Sequence, residues 1–231
     1  MRRFWKDVSL VDADGGWRVA LDGKPIRTQG GEAQVVPARA LAEALAEEWR
    51  GQGDEIDPGA FVLRDLADYA IDHVRPDRAA AITKLVAYAE TDTLCYRADP
   101  DEPLYRRQQQ LWEPLVAAFE GRHGVRIERV SGVIHRAQPA ETLAWLRAHL
   151  AEHDDFALSA LATLAPLAAS LTIALSALGP GADAAALFAA ANCEEDWQAE
   201  QWGWDTLARD ARARRLKTFE AAARFAQLAR A

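Results

Sequence analysis

Residues 156–178 read FALSALATLAPLAASLTIALSAL, a run without a single charge. Its reading decides the fold class, because an uncharged stretch longer than about 18 residues is a candidate to cross a bilayer. Three features turn it inward. Most of its non-leucine positions are Ala, Ser or Thr, whereas insertion leans on Leu, Ile, Phe and Val at about -0.3 to -0.6 kcal/mol each. Leu158, Leu161, Leu164, Leu171, Leu175 and Leu178 recur at spacings near three and four, a stripe rather than an all-round apolar surface. Pro166 removes a donor and crowds the carbonyl of Ala162, which predicts a kink or a break into two helices. The stretch therefore reads as core helices of a helical domain, with no insertion into a membrane.

The same period extends on both sides. FVLRDLADYAIDHV, DRAAAITKLVAYAETDTLCYRA and EPLYRRQQQLWEPLVAAFEGRHG precede it as helical segments, AETLAWLRAHLAEHDD leads into it, and a long helical region runs from Ala184 to the end with a bend near Gly203. VRIERVSGVIH, β-branched and alternating, is the exception and predicts a short strand or extended connector. The first forty residues have strand grammar. Trp17, Val19 and Leu21 alternate with Arg18, Ala20 and Asp22, DADGG stands before them, and Asp22-Gly23 follows as a hairpin signal. Gly30-Gly31 reads as a further turn and AQVVP as a last short strand. Leu41, Leu45 and Trp49 then mark an amphipathic helix, and DEIDPG reads as a spacer. The expected fold is α+β: a small N-terminal antiparallel β-rich domain with one helix over residues 1–57, followed by a larger all-helical orthogonal bundle over 58–231.

Composition narrows the function. The chain has 231 residues, half of them apolar, and a net charge of -8. An acidic surface argues against tracking a phosphate backbone, so nucleic acid is not an expected partner. Cys95 and Cys193 are the only thiols, too few for a disulfide framework, which points to a reducing compartment. The opening MRRFWKDVSLVDADGGWRV lacks an apolar leader and reads as mature protein of a bacterial cytoplasm.

Catalytic signatures are sparse. His149 to His153 read HLAEH, the order of an inverted zinc-peptidase motif, and keep a metal-dependent hydrolase using His149, Glu152 and His153 as an alternative. The acids that follow it look like a wet helix end. No nucleophile elbow, phosphate-cradling loop or dinucleotide fingerprint is present. Cys95 has Arg97 near it in sequence but no histidine that sequence can place beside it, so a buried apolar role is favoured. His73, His123 and His135 belong to no recognisable set.

The segment EEDWQAEQWGWD, Glu194 to Asp205, crowds tryptophans among carboxylates. Projected on a helix, Trp197, Gln201 and Trp204 share a stripe, Glu200 follows Asp196 by one turn along its edge, and Trp202 points away. One face cannot bury all three rings. A core helix with a solvated acidic edge competes here with a recognition surface, since interfaces favour large rigid rings beside polar groups.

DGKPIRT (22–28), AEEW (46–49), ADYAIDHV (67–74), ETDTLCYR (90–97), RQQQLWEP (107–114) and DWQAEQWG (196–203), in this order, resemble the ATP-twelve family, the assembly chaperones of the F-type ATP synthase. The similarity runs from about Arg3 to Phe225. It implies a protein that holds the free alpha subunit until beta replaces it, as a monomer, catalysing no reaction and needing no metal or cofactor. It also assigns chaperone activity to an acid that maps to Glu200, with Trp197, Trp202, Trp204 and Asp196 as the surrounding partner-binding set. Thr91, Asp92, Cys95, Tyr96, Arg97, Gln108, Trp112, Gln198 and Gly203 carry the family blocks in a structural or binding role. Glu200 is expected to meet an arginine of the client. Two departures concern packing: Ala168-Ala169-Ser170 where relatives often have a Gly-Ser pair, and FVL where they often read PLT. A helical scaffold with another partner is the third reading.

Overall fold

The computed structural model describes residues 1–132 and 136–231. The protein is α+β, as the sequence implies, and divides into two compact units. The first comprises Met1–Arg78, Asp154–Ala160 and Ala221–Ala231. Strands β1 (Val8–Ala13) and β2 (Gly16–Leu21) form an antiparallel hairpin from Val8↔Leu21 to Ala13↔Gly16. Asp22 and Gly23, with φ of 48° and 76°, then turn the chain into β3 (Lys24–Pro25). Positive φ at both central residues is what this tight turn requires.

The strand expected in AQVVP shrinks to two isolated bridges, Arg27↔Ala33 and Trp17↔Val36, in the second of which Trp17 and Val36 exchange N–H···O bonds of 2.9 Å. Pro37 supplies no N–H to extend the ladder. A Cβ on Gly16 would lie 2.1 Å from the Val36 carbonyl oxygen, so that close approach depends on glycine.

Helix α1 (Arg39–Arg50) buries Leu41 and Leu45 and packs on β1 and β2. Trp49 near its end meets Trp5 at 5.0 Å and Phe61 at 4.6 Å between ring centroids. Residues 54–59 are not a loose spacer. Arg3 N–H donates to the Asp54 carbonyl, Ile56 N–H to that of Met1, and Asp57 N–H to the Gln52 side chain. Helix α2 (Val62–Tyr69) is capped by Glu48 of α1, whose carboxylate accepts from the N–H groups of Leu63 (2.7 Å) and Arg64 (2.8 Å). Such a cap satisfies donors that a helix start leaves open. These bonds explain why the first unit runs to Arg78 instead of stopping at the expected 57/58 boundary. Two blocks of the sequence also meet here. Thr28 Oγ1 donates to Asp72 (2.7 Å), Gly30 N–H donates to the same carboxylate (2.8 Å), and Gln34 Nε2 donates to Asp68 (2.5 Å).

The second unit comprises Ala79–His153 and Leu161–Glu220. Helix α3 (Arg78–Glu90) leads to TDTLCYR, whose Tyr96–Arg97 (β4) pairs in parallel with Val130–Ser131 (β5). The connector expected over 125–135 thus pairs at β5, and its last three residues, His135 among them, lie outside the described residues. Helices α4 (Pro103–His123), α5 (Ala140–Glu152), α6 (Asp155–Ala168), α7 (Leu171–Ala177), α8 (Ala184–Ala191), α9 (Cys193–Trp202) and α10 (Thr206–Leu228) follow. The single terminal helical region is therefore interrupted at Asn192 as well as near Gly203.

No helix among the described residues is long and apolar enough to cross a membrane. The uncharged run breaks into α6 and α7, but not at Pro166, which stays inside α6. The interruption is Ala169, at a left-handed φ of 44°, followed by Ser170, whose hydroxyl accepts the Ile173 N–H at 3.0 Å. Serine is a strong cap because its oxygen reaches such an open N–H. Burial is not confined to a leucine stripe. Phe156 to Leu161 and Leu171 to Leu175 are all buried, the all-round apolar surface of core helices.

The left-handed Ala169 carries a testable cost. A non-glycine residue there loses about 1–2 kcal/mol, while glycine elsewhere costs about 0.5–1 kcal/mol in chain entropy. Ala169→Gly is expected to be neutral or to stabilise by up to about 1 kcal/mol. Denaturant unfolding checks the sign: a clear loss of stability would contradict it.

Candidate functional site: the acid and tryptophan helix

Helix α9 is fastened by α4. Gln108 and Trp112, one turn apart on α4, are fully buried. The Gln108 side chain accepts from the Ala98 N–H (2.8 Å) and donates to Glu194 (2.8 Å), tying TDTLCYR on one side and α9 on the other. The indole N–H of Trp112 donates to the Ala190 carbonyl at 2.7 Å, an acceptor in the last turn of α8. Carbonyls in that turn lack the helical donors that serve the rest of the helix.

TDTLCYR is likewise an internal fastening. Asp92 is buried and accepts from the N–H groups of Leu94 (3.1 Å) and Thr172 (2.9 Å), while Thr93 donates both its N–H (2.9 Å) and its hydroxyl (3.0 Å) to the Ala169 carbonyl. The motif thus clamps the break between α6 and α7. Burial holds the Asp92 carboxyl above its ordinary pKa, against the opposing pull of those hydrogen bonds. Burial pushes the Cys95 thiol up as well, the reverse of what a reactive cysteine needs. The Arg97 side chain is buried between Gln109 (2.7 Å) and Glu113 (2.8 Å). Tyr96 donates its hydroxyl to the Glu90 carbonyl at 3.3 Å, and Thr91 is exposed.

In α9, Glu194, Glu195 and Asp196 occupy the first turn, where the helix dipole favours negative charge. Two of them bind arginines of α10: Glu195 meets Arg215, and Asp196 meets Arg212 at 2.6 Å. Asp196 is therefore spent inside the unit instead of extending a free ridge. Glu200, one turn further, is gripped bidentately by Arg107 of α4, with both N···O distances 2.7 Å. That guanidinium also lies 5.7 Å from the Trp197 ring centroid. The Glu200 carboxylate pushes the Arg107 guanidinium pKa further up. The cation expected from a client is thus already supplied by this chain, yet the Glu200 side chain keeps 49% of its surface in solvent.

The projected stripe does not form. Gly203, at φ 84° and ψ 162°, ends α9 immediately after Trp202, so Trp204 leaves the helix and packs with its ring centroid 5.8 Å from Arg212. Trp197 is half-buried, and Gln198 and Gln201 are both exposed. What faces solvent is another group: Trp202 at 81% exposure, Leu207 at 78%, Trp204 at 39% and the open edge of Glu200. These bare apolar side chains lie close together in sequence. Leu207, Arg107 and Arg212 were missed in the sequence. A solvated leucine in the first turn of a helix was the one available signal, and pairs separated by sixteen or more residues leave none.

HLAEH holds no metal geometry. His149 stacks on Trp145 at 4.7 Å and 17°, and its Nδ1 lies 3.4 Å from the Glu152 carboxylate. His123 stacks nearby, 5.2 Å from His149, and His73 sits apart against Tyr69. Among the described residues no group of three His, Cys, Asp or Glu side chains is placed to hold a metal ion.

The family model of the ATP12 chaperone protein matches residues 2–120. The mitochondrial protein atp12 of Schizosaccharomyces pombe is 25% identical over 214 residues, 87% of this chain and 74% of that protein. The crystal structure of Atp12 from Paracoccus denitrificans superposes with a TM-score of 0.93 at 38% identity, covering 99% of this chain and 98% of that one. An aspartate-to-lysine mutant of P. denitrificans Atp12p matches with the same score and identity, covering 99% and 97%. The chain belongs to the ATP12 family of ATP synthase assembly chaperones.

Proposed function

We propose that this protein binds the free alpha subunit of the F-type ATP synthase head and shields it until beta takes its place. The observation that carries this reading is the half-exposed carboxylate of Glu200 within the same short segment as the exposed side chains of Trp202, Trp204 and Leu207. An unassembled subunit exposes an apolar flank that would aggregate. A ridge of exposed indoles can cover such a flank, and a charged edge sets its register. Because the holder must leave when the true partner arrives, a small and partly polar contact suits the task better than a large apolar one. The protein acts stoichiometrically, without cofactor, in the bacterial cytoplasm.

The test is direct. Purified alpha subunit is diluted from denaturant with and without an equimolar amount of this protein, and light scattering is followed. Scattering is expected to fall, and tagged protein is expected to retain alpha until beta is added. Scattering curves that coincide would refute the reading.

A further inference from the structure

Helix α4 carries a second feature that meets the Glu200 site only at Arg107 and Trp197. Its residues Arg106, Gln110, Pro114, Ala118 and Arg122, four apart, are all exposed. Rows at this spacing form the ridges by which helices pack. Between the two arginines the exposed positions of α4 carry no charge. Glu113 and Glu120 lie at the edge of this sector and are taken up by Arg97 and Arg129.

Two hollows of about 490 and 520 Å³ adjoin the row and share Gln110 and Leu111, so they make one trough. Its far wall is the turn Gly179–Asp183 with Leu187 of α8 at one end and Trp197 of α9 at the other. Asp183, the acid in that wall, accepts the Ala186 N–H at 2.9 Å as the cap of α8. Leu111 is 39% exposed in the trough. Pro114 supplies no N–H to the Gln110 carbonyl, which leaves an acceptor along the row.

The arginines give the trough a polarity. Among the described residues, neither Arg106 nor Arg122 makes an ion pair or a side-chain hydrogen bond, in a chain of net charge -8. They stand about 24 Å apart at the rise of an α-helix. A neutral or basic occupant would leave both idle. We infer that this trough docks an amphipathic helix of a partner protein, apolar on one face and carrying a carboxylate near each end. The inference rests on the reading that the protein works by holding another protein, and it adds a second contact to the Glu200 ridge. An apolar helix face laid in a groove is a recurring recognition mode, and charge at its two ends fixes direction and register.

The probes are fluorescein-labelled helical peptides of about 18 residues, long enough for the span at 1.5 Å per residue. All share one Leu/Ala face, with Glu, Gln or Lys at both ends. Anisotropy titration of the full chain is expected to rank them Glu, Gln, Lys, with at least about a tenfold gap between the first and last. The double variant Arg106→Glu/Arg122→Glu should reverse the order, and Leu111→Asp should weaken every peptide. These side chains are exposed, so the variants are expected to keep the fold, which circular dichroism checks. Equal binding of the three peptides, no binding, or an order unchanged in the double variant would overturn the inference. A dimer in sedimentation that the double variant dissolves would also overturn it, by identifying the occupant as a second copy. The peptide titration contains no alpha subunit. Peptide binding without alpha protection would therefore leave the trough standing and remove the client, and protection without peptide binding would do the opposite.

Discussion

Glu200→Lys is expected to abolish protection of the alpha subunit while leaving the fold almost untouched. The substitution breaks a half-exposed pair with Arg107 and sets a second cation beside it. Exposed pairs contribute about 0–1 kcal/mol, so the stability loss should be on the order of 1 kcal/mol, a shift of roughly 2–4 °C in Tm for a chain of this size. The functional loss should be far larger, because the reversed charge stands in the same short segment as the exposed Trp202 and Leu207. The Arg107 contact uses both oxygens of Glu200, yet a carboxylate offers about four acceptor positions. One flank remains open to a client donor. The charge-swapped double variant Arg107→Glu/Glu200→Arg separates the two roles. It rebuilds the internal pair but presents the wrong sign to the client, so it should remain inactive. Recovery of full protection by the swap would show that Glu200 acts only by holding α4 to α9.

Trp112→Ala is expected to be the most destabilising single change in the second unit. The side chain is fully buried, and its indole N–H serves the Ala190 carbonyl at 2.7 Å. Truncating a buried tryptophan costs about 3–5 kcal/mol through lost transfer energy and the cavity left behind. Leaving the carbonyl unserved adds about 1–3 kcal/mol if water cannot reach it. Against a usual total of about 5–15 kcal/mol, this removes a large part of the stability. Trp112→Phe should lose less, because the ring volume is mostly kept and the hydrogen bond is the main casualty. Urea unfolding checks both: the midpoint should drop steeply for alanine and modestly for phenylalanine, with the slope unchanged. A midpoint for Trp112→Ala near that of the parent protein would show that the α4–α8 contact is not a principal support. Since Gln108 and Trp112 both hold the segment leading into α9, client protection should weaken in the alanine variant before the chain unfolds.

The two predictions place the family blocks in different roles. Most of them fasten the protein internally. Thr28 meets Asp72 and Glu48 caps α2 in the first unit, while Asp92 clamps the α6–α7 break and Gln108 with Trp112 anchors α8 and α9 in the second. The tail of DWQAEQWG turns its side chains outward, as do Gln110, Leu111 and Pro114 of RQQQLWEP. A block of sequence that looks distinctive therefore says that something is held in place. It does not say whether the holder is the fold or a partner.

What the sequence determined by itself is local. Asp22-Gly23 made the turn from β2 into β3, since few dipeptides tolerate positive φ twice. The 3.6-residue period made the helices, and the Ala-, Ser- and Thr-rich run made a buried pair of helices instead of a span. The tertiary structure alone decided the rest. Pro166 stayed within its helix, and the break fell at Ala169 because Asp92 and Thr93 seize the chain there, across more than seventy residues. Trp204 was drawn out of its projected stripe because Gly203 ended the helix and Arg212 lay nearby. Glu200 acquired Arg107, 93 residues away in sequence, as its cation. Periodicity and turn chemistry act over a few bonds and can be read along the chain. Ion pairs, caps from distant side chains and exposure depend on which surfaces meet, and that is settled only when the whole core closes.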